Sequence, residues 1–312
     1  MKSKNTVLMV AIAFLISAAV ICIVGAAREG YDFLSGTSLK QLDMEEYSVS
    51  AGDVKAIFIQ DKDKKLSVAQ SEDDKIHVIY YKSENPAYNY TIGVDSGKLS
   101  VVSNDQSRWF ERVGFWVSLA DMHVTLKIPA EFAGELELRT SNSSITMYDV
   151  NVTGRVLMKT SNSSVSVSNV NVGDTLSAET TNGGITLSNV ETDSLIMKNS
   201  NGKLDMLNLK VERLLDGKTS NGKIYFRNID AEDIKMKTNN SIIEFSNITV
   251  GKAIDCKTSN GKITGDVNGP QSDYSITSKT SNGNNNLPTS APGGEKKMNM
   301  VTSNSKIEVT FK

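Results

Sequence analysis

KTSNGKI stands at residues 218–224 and again at 257–263, and the reading of this phrase decides the fold. Near-copies surround it: RTSNSSI at 139–145, KTSNSSV at 159–165 and TSNSKI at 302–307. With the Asn of each copy as origin, the series runs Asn142, Asn162, Asn182, Asn201, Asn221, Asn240, Asn260, Asn282 and Asn304. The spacings are 20, 20, 19, 20, 19, 20, 22 and 22 residues. Nine copies at one period mark a repeat architecture, with one structural unit per copy.

Each unit carries the same internal pattern. Apolar or small residues fall four before the Asn (Leu138, Met158, Ala178, Met197, Met236, Cys256, Met300), three after it (Ile145, Val165, Ile185, Leu204, Ile224, Ile243, Ile263, Ile307) and often five after it. Alternation with polar residues is the strand period of two. A second series sits seven residues on: Asp149, Asn169, Asn189, Asn208, Asn228 and Asn247, each followed by Val, Leu or Ile. A unit therefore reads as strand, Asn corner, strand, Asn corner, short strand, loose turn.

Asn-Gly between alternating runs also suits an antiparallel meander of hairpins. A meander gives no reason for the same residue at the same place every 20 residues. A parallel β-solenoid does, because each coil stacks on the last at ~4.8 Å and identical side chains form ladders. The expected fold is all-β: a right-handed parallel β-helix of about nine coils, with the Asn turned inward at a corner to satisfy buried backbone groups. Gly or Ser follows the Asn because the corner needs a permissive backbone.

The first residues, MKSKNTVLMVAIAFLISAAVICIVGAAREG, place Lys2 and Lys4 before an apolar run from Thr6 to Ala27. The run is long enough to cross a ~30 Å hydrocarbon core, and the leading lysines favour an N-in orientation. A cleaved signal peptide is the competing reading, with Gly25-Ala26-Ala27 as the cleavage context. Either way residues 28–312 are exported, and the expected localisation is the bacterial cell membrane with an extracytoplasmic C-terminal part. The expected division is an anchor or signal segment over 1–27, a juxtamembrane linker over 28–46, an irregular β-rich cap over 47–130 and the regular solenoid over 131–312. The segment NNNLPTSAPGGEKK at 284–297 reads as a loop bulging between the last two coils; its LPTSA lacks the features of a wall-sorting signal.

The 312-residue chain has a net charge of −2, which gives no overall signal for nucleic acid. Its two cysteines, Cys22 and Cys256, fall in the apolar run and in a strand, so no disulfide is expected.

An apolar N-terminal segment leads through β-rich sequence to VTLKIPAEFAGELELRTSNSSI, with a strand ending at Ile128-Pro129, then Leu136, Leu138 and the Thr140-Ser141-Asn142 corner. This combination resembles the bacterial "putative adhesin" family of β-strand-repeat envelope proteins, over about residues 47–312. The resemblance implies a β-solenoid and carries no catalytic residues with it.

Chemistry is sparse. His77 and His123 are the only imidazoles, and both lie in strand-like sequence without a nucleophile beside them. Polysaccharide-acting β-helices need carboxylates clustered across coils. Here Glu137, Asp149, Glu179, Asp205, Asp216, Glu244 and Asp255 fall at differing positions; Glu137, Asp216 and Asp255 share one, interrupted by Ser177, Ile196 and Lys235. No enzyme, cofactor or metal is expected. RWFERVGFWVSL at 108–119, with Trp109, Phe110, Phe115 and Trp116, reads as a plug for the first coil or a surface for membrane or partner.

Three residues before the Asn stand Arg139, Lys159, Lys198, Lys218, Lys237, Lys257 and Lys279, broken only by Glu179 and Val301. Strand alternation turns this position to solvent. Lys203, Lys223, Lys262 and Lys306 lie round the same corner. A column of like charges repels itself. It reads either as solvated edge protection or as a stripe that docks an anionic wall polymer. The expected function is a non-enzymatic, membrane-tethered adhesin-like module of the cell envelope, whose partner is an envelope polymer or a membrane protein. The alternatives are an accessory protein of envelope-stress signalling and, less favoured, a polysaccharide-acting enzyme.

Overall fold

A computed structural model describes residues 44–82, 89–104 and 123–312, which belong to one compact unit, Met44–Lys312. The membrane segment expected over 1–27 and the aromatic patch at 108–119 lie outside the described residues. Among the described residues no helix is long and apolar enough to cross a membrane. Strand Met44–Ser50 begins inside the stretch read as linker.

The repeating element is a coil of three straight runs. In the coil Val165–Glu179 they are Val165–Ser168 (face A), Val170–Val172 (face B) and Thr175–Glu179 (face C). Each pairs in parallel with its counterpart one repeat away: Val165 with Ile145 and Ile185, Val170 with Val150 and Val190, Leu176 with Val156 and Leu195. This register excludes the meander. Alternate side chains point inward, so Val165, Val167, Val170, Val172, Leu176 and Ala178 are all buried. The same columns run the length of the unit and form one core, within which Phe226 and Phe245 stack at 5.1 Å.

Two kinds of corner turn the chain. Between faces A and B, Asp149, Asn169, Asn189, Asn208, Asn228 and Asn247 all adopt left-handed backbone, with φ of 53–56°. Asn and Asp tolerate that region best among residues with a side chain. Their amides also stack, from Asn169 Nδ2 to Asp149 Oδ1 at 2.9 Å onward through Asn247 and Asn268.

Between faces C and A lies the TSN phrase, and here the structure corrects the sequence reading. The Asn points out, not in: all nine origin asparagines are exposed. The inward residue is the Thr two before it. Thr160, Thr180, Thr238, Thr258 and Thr302 donate to carbonyls of Ser143, Ser163, Gly222, Ser241 and Gly261 in the preceding coil, at 2.8–3.0 Å. Asn199, which replaces Thr in one coil, donates to Gly183 O at 2.6 Å. At each of these corners a carbonyl turned from solvent in whole or in part is thus satisfied by the next coil's −2 side chain.

Both ends depart from chain order. The coil of Ala56–Gln60 and Lys65–Gln70 lies between the coil of 135–152 and an outer one built from Lys98–Ser103 and His123–Ile128. Antiparallel strands Lys75–Tyr81, Met44–Ser50 and Tyr90–Asp95 close that end. At the other end Lys296–Val301 slots between Ala253–Lys257 and Tyr274–Lys279. Residues 284–297 are therefore the return path from the outermost coil to an inner slot, not a bulge between coils in sequence order. On that path Asn286 pairs with the edge strand Ile307–Phe311 through both Val309 groups, donating to its carbonyl at 2.8 Å and accepting from its N–H at 2.9 Å. Cys256 is fully buried and unpaired, and burial pushes its thiol far above the usual range.

Candidate functional site

The outward asparagines form a continuous amide ladder. Asn162 Nδ2 donates to Asn142 Oδ1 at 2.7 Å, and the relay continues through Asn182, Asn201, Asn221, Asn240 and Asn260 at 2.7–2.8 Å. It then passes to Asn304 and ends at Asn282. Its other end reaches a residue outside the repeated phrase: Asn142 Nδ2 donates to Asp63 Oδ1 at 2.6 Å. Asp63 occupies the origin of a coil whose sequence, QDKDKKL, has lost the TSN phrase. Asp61 takes the −2 place and accepts from the backbone N–H groups of Asp63 and Lys64. The apolar spacing of Ile59 and Leu66 around Asp63 is the signal that could have found this coil.

The cations three before each Asn do share one outward column on face C. Register pairs place Arg139 beside Lys159, Lys159 beside Glu179, Glu179 beside Lys198, and then Lys218, Lys237 and Lys257 in succession. Val301 and Lys279 complete it. The column is not a bare positive stripe. Glu179 bridges Lys159 at 3.2 Å and Lys198 at 3.0 Å. Burial pushes the Glu179 carboxyl up, but hydrogen bonds and attraction from Lys198 and Lys159 outweigh it and leave it below the ordinary value. Residues at i and i+2 of a strand share a face. Glu137, Asp216 and Asp255 therefore lie beside the column and pair with Arg139, Lys218 and Lys257 at 2.5, 2.9 and 2.7 Å. The sequence showed that Glu137, Asp216 and Asp255 share one repeat position too interrupted for a catalytic cluster, but not that they answer the lysines two residues on.

Around the corner, Lys203, Lys262 and Lys306 pair with Asp205, Glu244 and Glu308. Among the described residues no carboxylate stands at ion-pair distance from Lys223, Lys237 or Lys279. Lys223 and Lys237 belong to adjacent coils and flank the ladder between Asn221 and Asn240. The corner thus presents a row of amides with two neighbouring unneutralised cations near its middle.

The two imidazoles lie away from this corner. His77 joins two carboxylates, with Nδ1 2.5 Å from Glu46 and Nε2 2.7 Å from Asp73. His123 stacks edge-on against Tyr81. Among the described residues no group of three or more His, Cys, Asp or Glu is arranged to hold a metal ion. Two shallow depressions mark the faces. One of about 290 Å³ on face A is lined by Asp205, Tyr225, Arg227, Glu244, Phe245 and Ser246, and one of about 120 Å³ on face C lies among Phe58, Lys98, Glu137 and Leu157.

The family model described as Toastrack DUF4097 matches residues 54–310, nearly the whole described unit, and the chain belongs to that family. This is the β-strand-repeat resemblance read from the Ile128-Pro129 and Thr140-Ser141-Asn142 signature. Among solved structures, a "putative lipid binding protein" from Parabacteroides distasonis is 16% identical, with 86% of this chain and 97% of that one covered and a TM-score of 0.48. A "putative cell adhesion protein" from Clostridium sporogenes is 11% identical, covering 86% and 99%, with a TM-score of 0.26. A "putative adhesin" from Bacteroides fragilis is 9% identical, covering 86% and 97%, with a TM-score of 0.34. No curated protein matches the chain.

Proposed function

We propose that this Toastrack-family chain is a non-enzymatic, adhesin-like binding module of the bacterial cell envelope, tethered to the membrane by its N-terminal apolar run. Its ligand is an extended anionic wall polymer, laid along the corner between faces C and A. The observation that carries the reading is the corner's regularity. Amide donors recur once per coil and are flanked by cations, and two of these, Lys223 and Lys237, are free of carboxylate partners on neighbouring coils. Such an array matches a repeating polymer better than a small molecule, whose recognition needs convergent groups in a concave pocket. The paired cations contribute less, because exposed ion pairs already satisfy them.

The test uses the full chain and purified cell walls, with and without their anionic polymers. Binding should require the polymer and fall as salt rises towards ~1 M, where the Debye length is about 3 Å. Lys237→Gln should weaken it. Asp216→Asn should strengthen it, because it releases Lys218 from a 2.9 Å ion pair. Binding that is absent at low salt, or unmoved by either change, would return the lysines to the role of solvated edge protection. A membrane protein partner, as in envelope-stress signalling, would then be sought.

A further inference from the structure

The chain contains six Asn-Gly pairs, at Asn182, Asn201, Asn221, Asn260, Asn268 and Asn282. Asn-Gly is chemically labile. The glycine nitrogen, after losing its proton to base, attacks the asparagine side-chain carbonyl carbon. The C–Nδ2 bond breaks, ammonia leaves with a proton from solvent, and a cyclic imide remains. Water then opens the imide to aspartate or isoaspartate. The reaction needs an accessible glycine N–H and a side chain free to swing towards it.

Five of the six pairs deny the first requirement. The N–H of Gly183, Gly222 and Gly261 donates to the Thr Oγ1 three residues back at 3.1–3.3 Å. That of Gly202 donates to Asn199 Oδ1 at 2.9 Å, and that of Gly269 to the Lys312 carbonyl at 2.8 Å. None of these five glycines is exposed. The ladder denies the second requirement as well: the Oδ1 atoms of Asn182, Asn201, Asn221 and Asn260 each accept the next rung's amide. Asn282 differs on every count. Because the last coil slots in beneath it, Asn282 is the terminal rung. It donates to Asn304 at 2.9 Å, and no further amide donates to it. Among the described residues Gly283 N–H has no hydrogen-bond partner, and Gly283 is exposed.

We infer that Asn282–Gly283 is the deamidation site of the folded chain, and that the other five Asn-Gly pairs are protected by the corner hydrogen bonds. The product places a carboxylate where an amide had donated to Asn304. The outermost coil thereby loses its rung and gains a negative charge between Lys279 and Lys306.

The test incubates the full chain in mildly alkaline buffer and follows aspartate and isoaspartate at each site by peptide mapping and mass spectrometry, beside a urea-unfolded control. In the folded chain Asn282 should convert at least about tenfold faster than each of the other five, which react only through local opening. In the unfolded control that lead should vanish. Conversion at Asn221 or Asn260 as fast as at Asn282 in the folded chain would overturn the inference. So would a lead at Asn282 of the same size in the unfolded control, since flanking sequence and not the corner would then be its cause.

Discussion

Thr238 and Asn221 allow the two halves of the TSN corner to be weighed against each other. Thr238 is buried and donates to Gly222 O at 3.0 Å, and no backbone N–H reaches that carbonyl. Thr238→Val keeps the shape and strands the carbonyl, which costs about 1–3 kcal/mol. Asn221→Ala removes two ladder bonds, of 2.8 and 2.7 Å, but on exposed side chains whose partners turn to water. Its cost should stay near ~1 kcal/mol or below. A global melt is the wrong assay, because a repeat array need not unfold in one step. Native-state hydrogen exchange resolves the coil itself. The amides of Thr219 and Thr238, bonded to Lys237 O and Lys257 O, report on it directly. In Thr238→Val their protection should fall roughly 5- to 150-fold, at tenfold per ~1.4 kcal/mol. In Asn221→Ala the loss should be under about tenfold. If Asn221→Ala lowers protection as much as Thr238→Val, the outward ladder and not the inward hydroxyl holds the corner, and the reasoning fails.

Two further outcomes follow from the ends of the stack. His77 bridges Glu46 and Asp73, which requires both ring nitrogens to donate; its pKa is raised, chiefly by the hydrogen bond it donates to Asp73, while Asp73 is held down at about 2, chiefly by His77. A raised His contributes stability in full below its unfolded value of about 6.5 and loses it as pH climbs through the folded value; a depressed Asp contributes above about 3.9 and loses it as pH falls towards 2. Exchange protection of strand Met44–Ser50 should therefore be greatest between about pH 4 and 6.5 and decline on the alkaline side, and His77→Gln should flatten that profile. If the alkaline decline survives in His77→Gln, the bridge is not its source. Asn286 imitates a neighbouring strand for Val309, so Asn286→Ala should uncover that edge and promote end-to-end association, visible as concentration-dependent growth in light scattering; a size unchanged from that of the unsubstituted chain would show that the edge is guarded by something else.

The period was legible because solenoid stacking demands that each position repeat its chemistry, and nine origin asparagines, six of them in the phrase TSN, satisfy that demand openly. Strand faces were legible for the same reason: within each straight run alternation places Val165 and Val167, and then Val170 and Val172, inside. What alternation cannot decide is the direction of a side chain at a corner, where the period of two is broken. Thr and Asn each bring a polar group suited to a buried carbonyl, and the shorter Thr takes the inner place while Asn reaches along the outside to its own copy. The second Asn series was visible as a spacing, but its cause, left-handed backbone, belongs to conformation and not to composition.

Chain order misled at the ends for a different physical reason. A regular stack can terminate only by leaving strand edges unpaired or by covering them. This chain covers them by overshooting: at one end Tyr274–Lys279 goes out first and Lys296–Val301 returns beneath it, and at the other the coil of Ala56–Gln60 is overlaid by strands that come later in sequence. The overshoot needs a long excursion, and the larger spacing of 22 residues before Asn282 and before Asn304 is its trace in the sequence. The same device decides which rung of the Asn ladder is last, and so why Asn282 and not Asn304 is left without a donor. The charges obey an equally local rule. The lysine column costs little because carboxylates two residues away on the same face, or one coil away at Glu179, answer it. No carboxylate answers Lys237 in the column or Lys223 round the corner from it, and the proposed polymer-binding role is most sharply tested there.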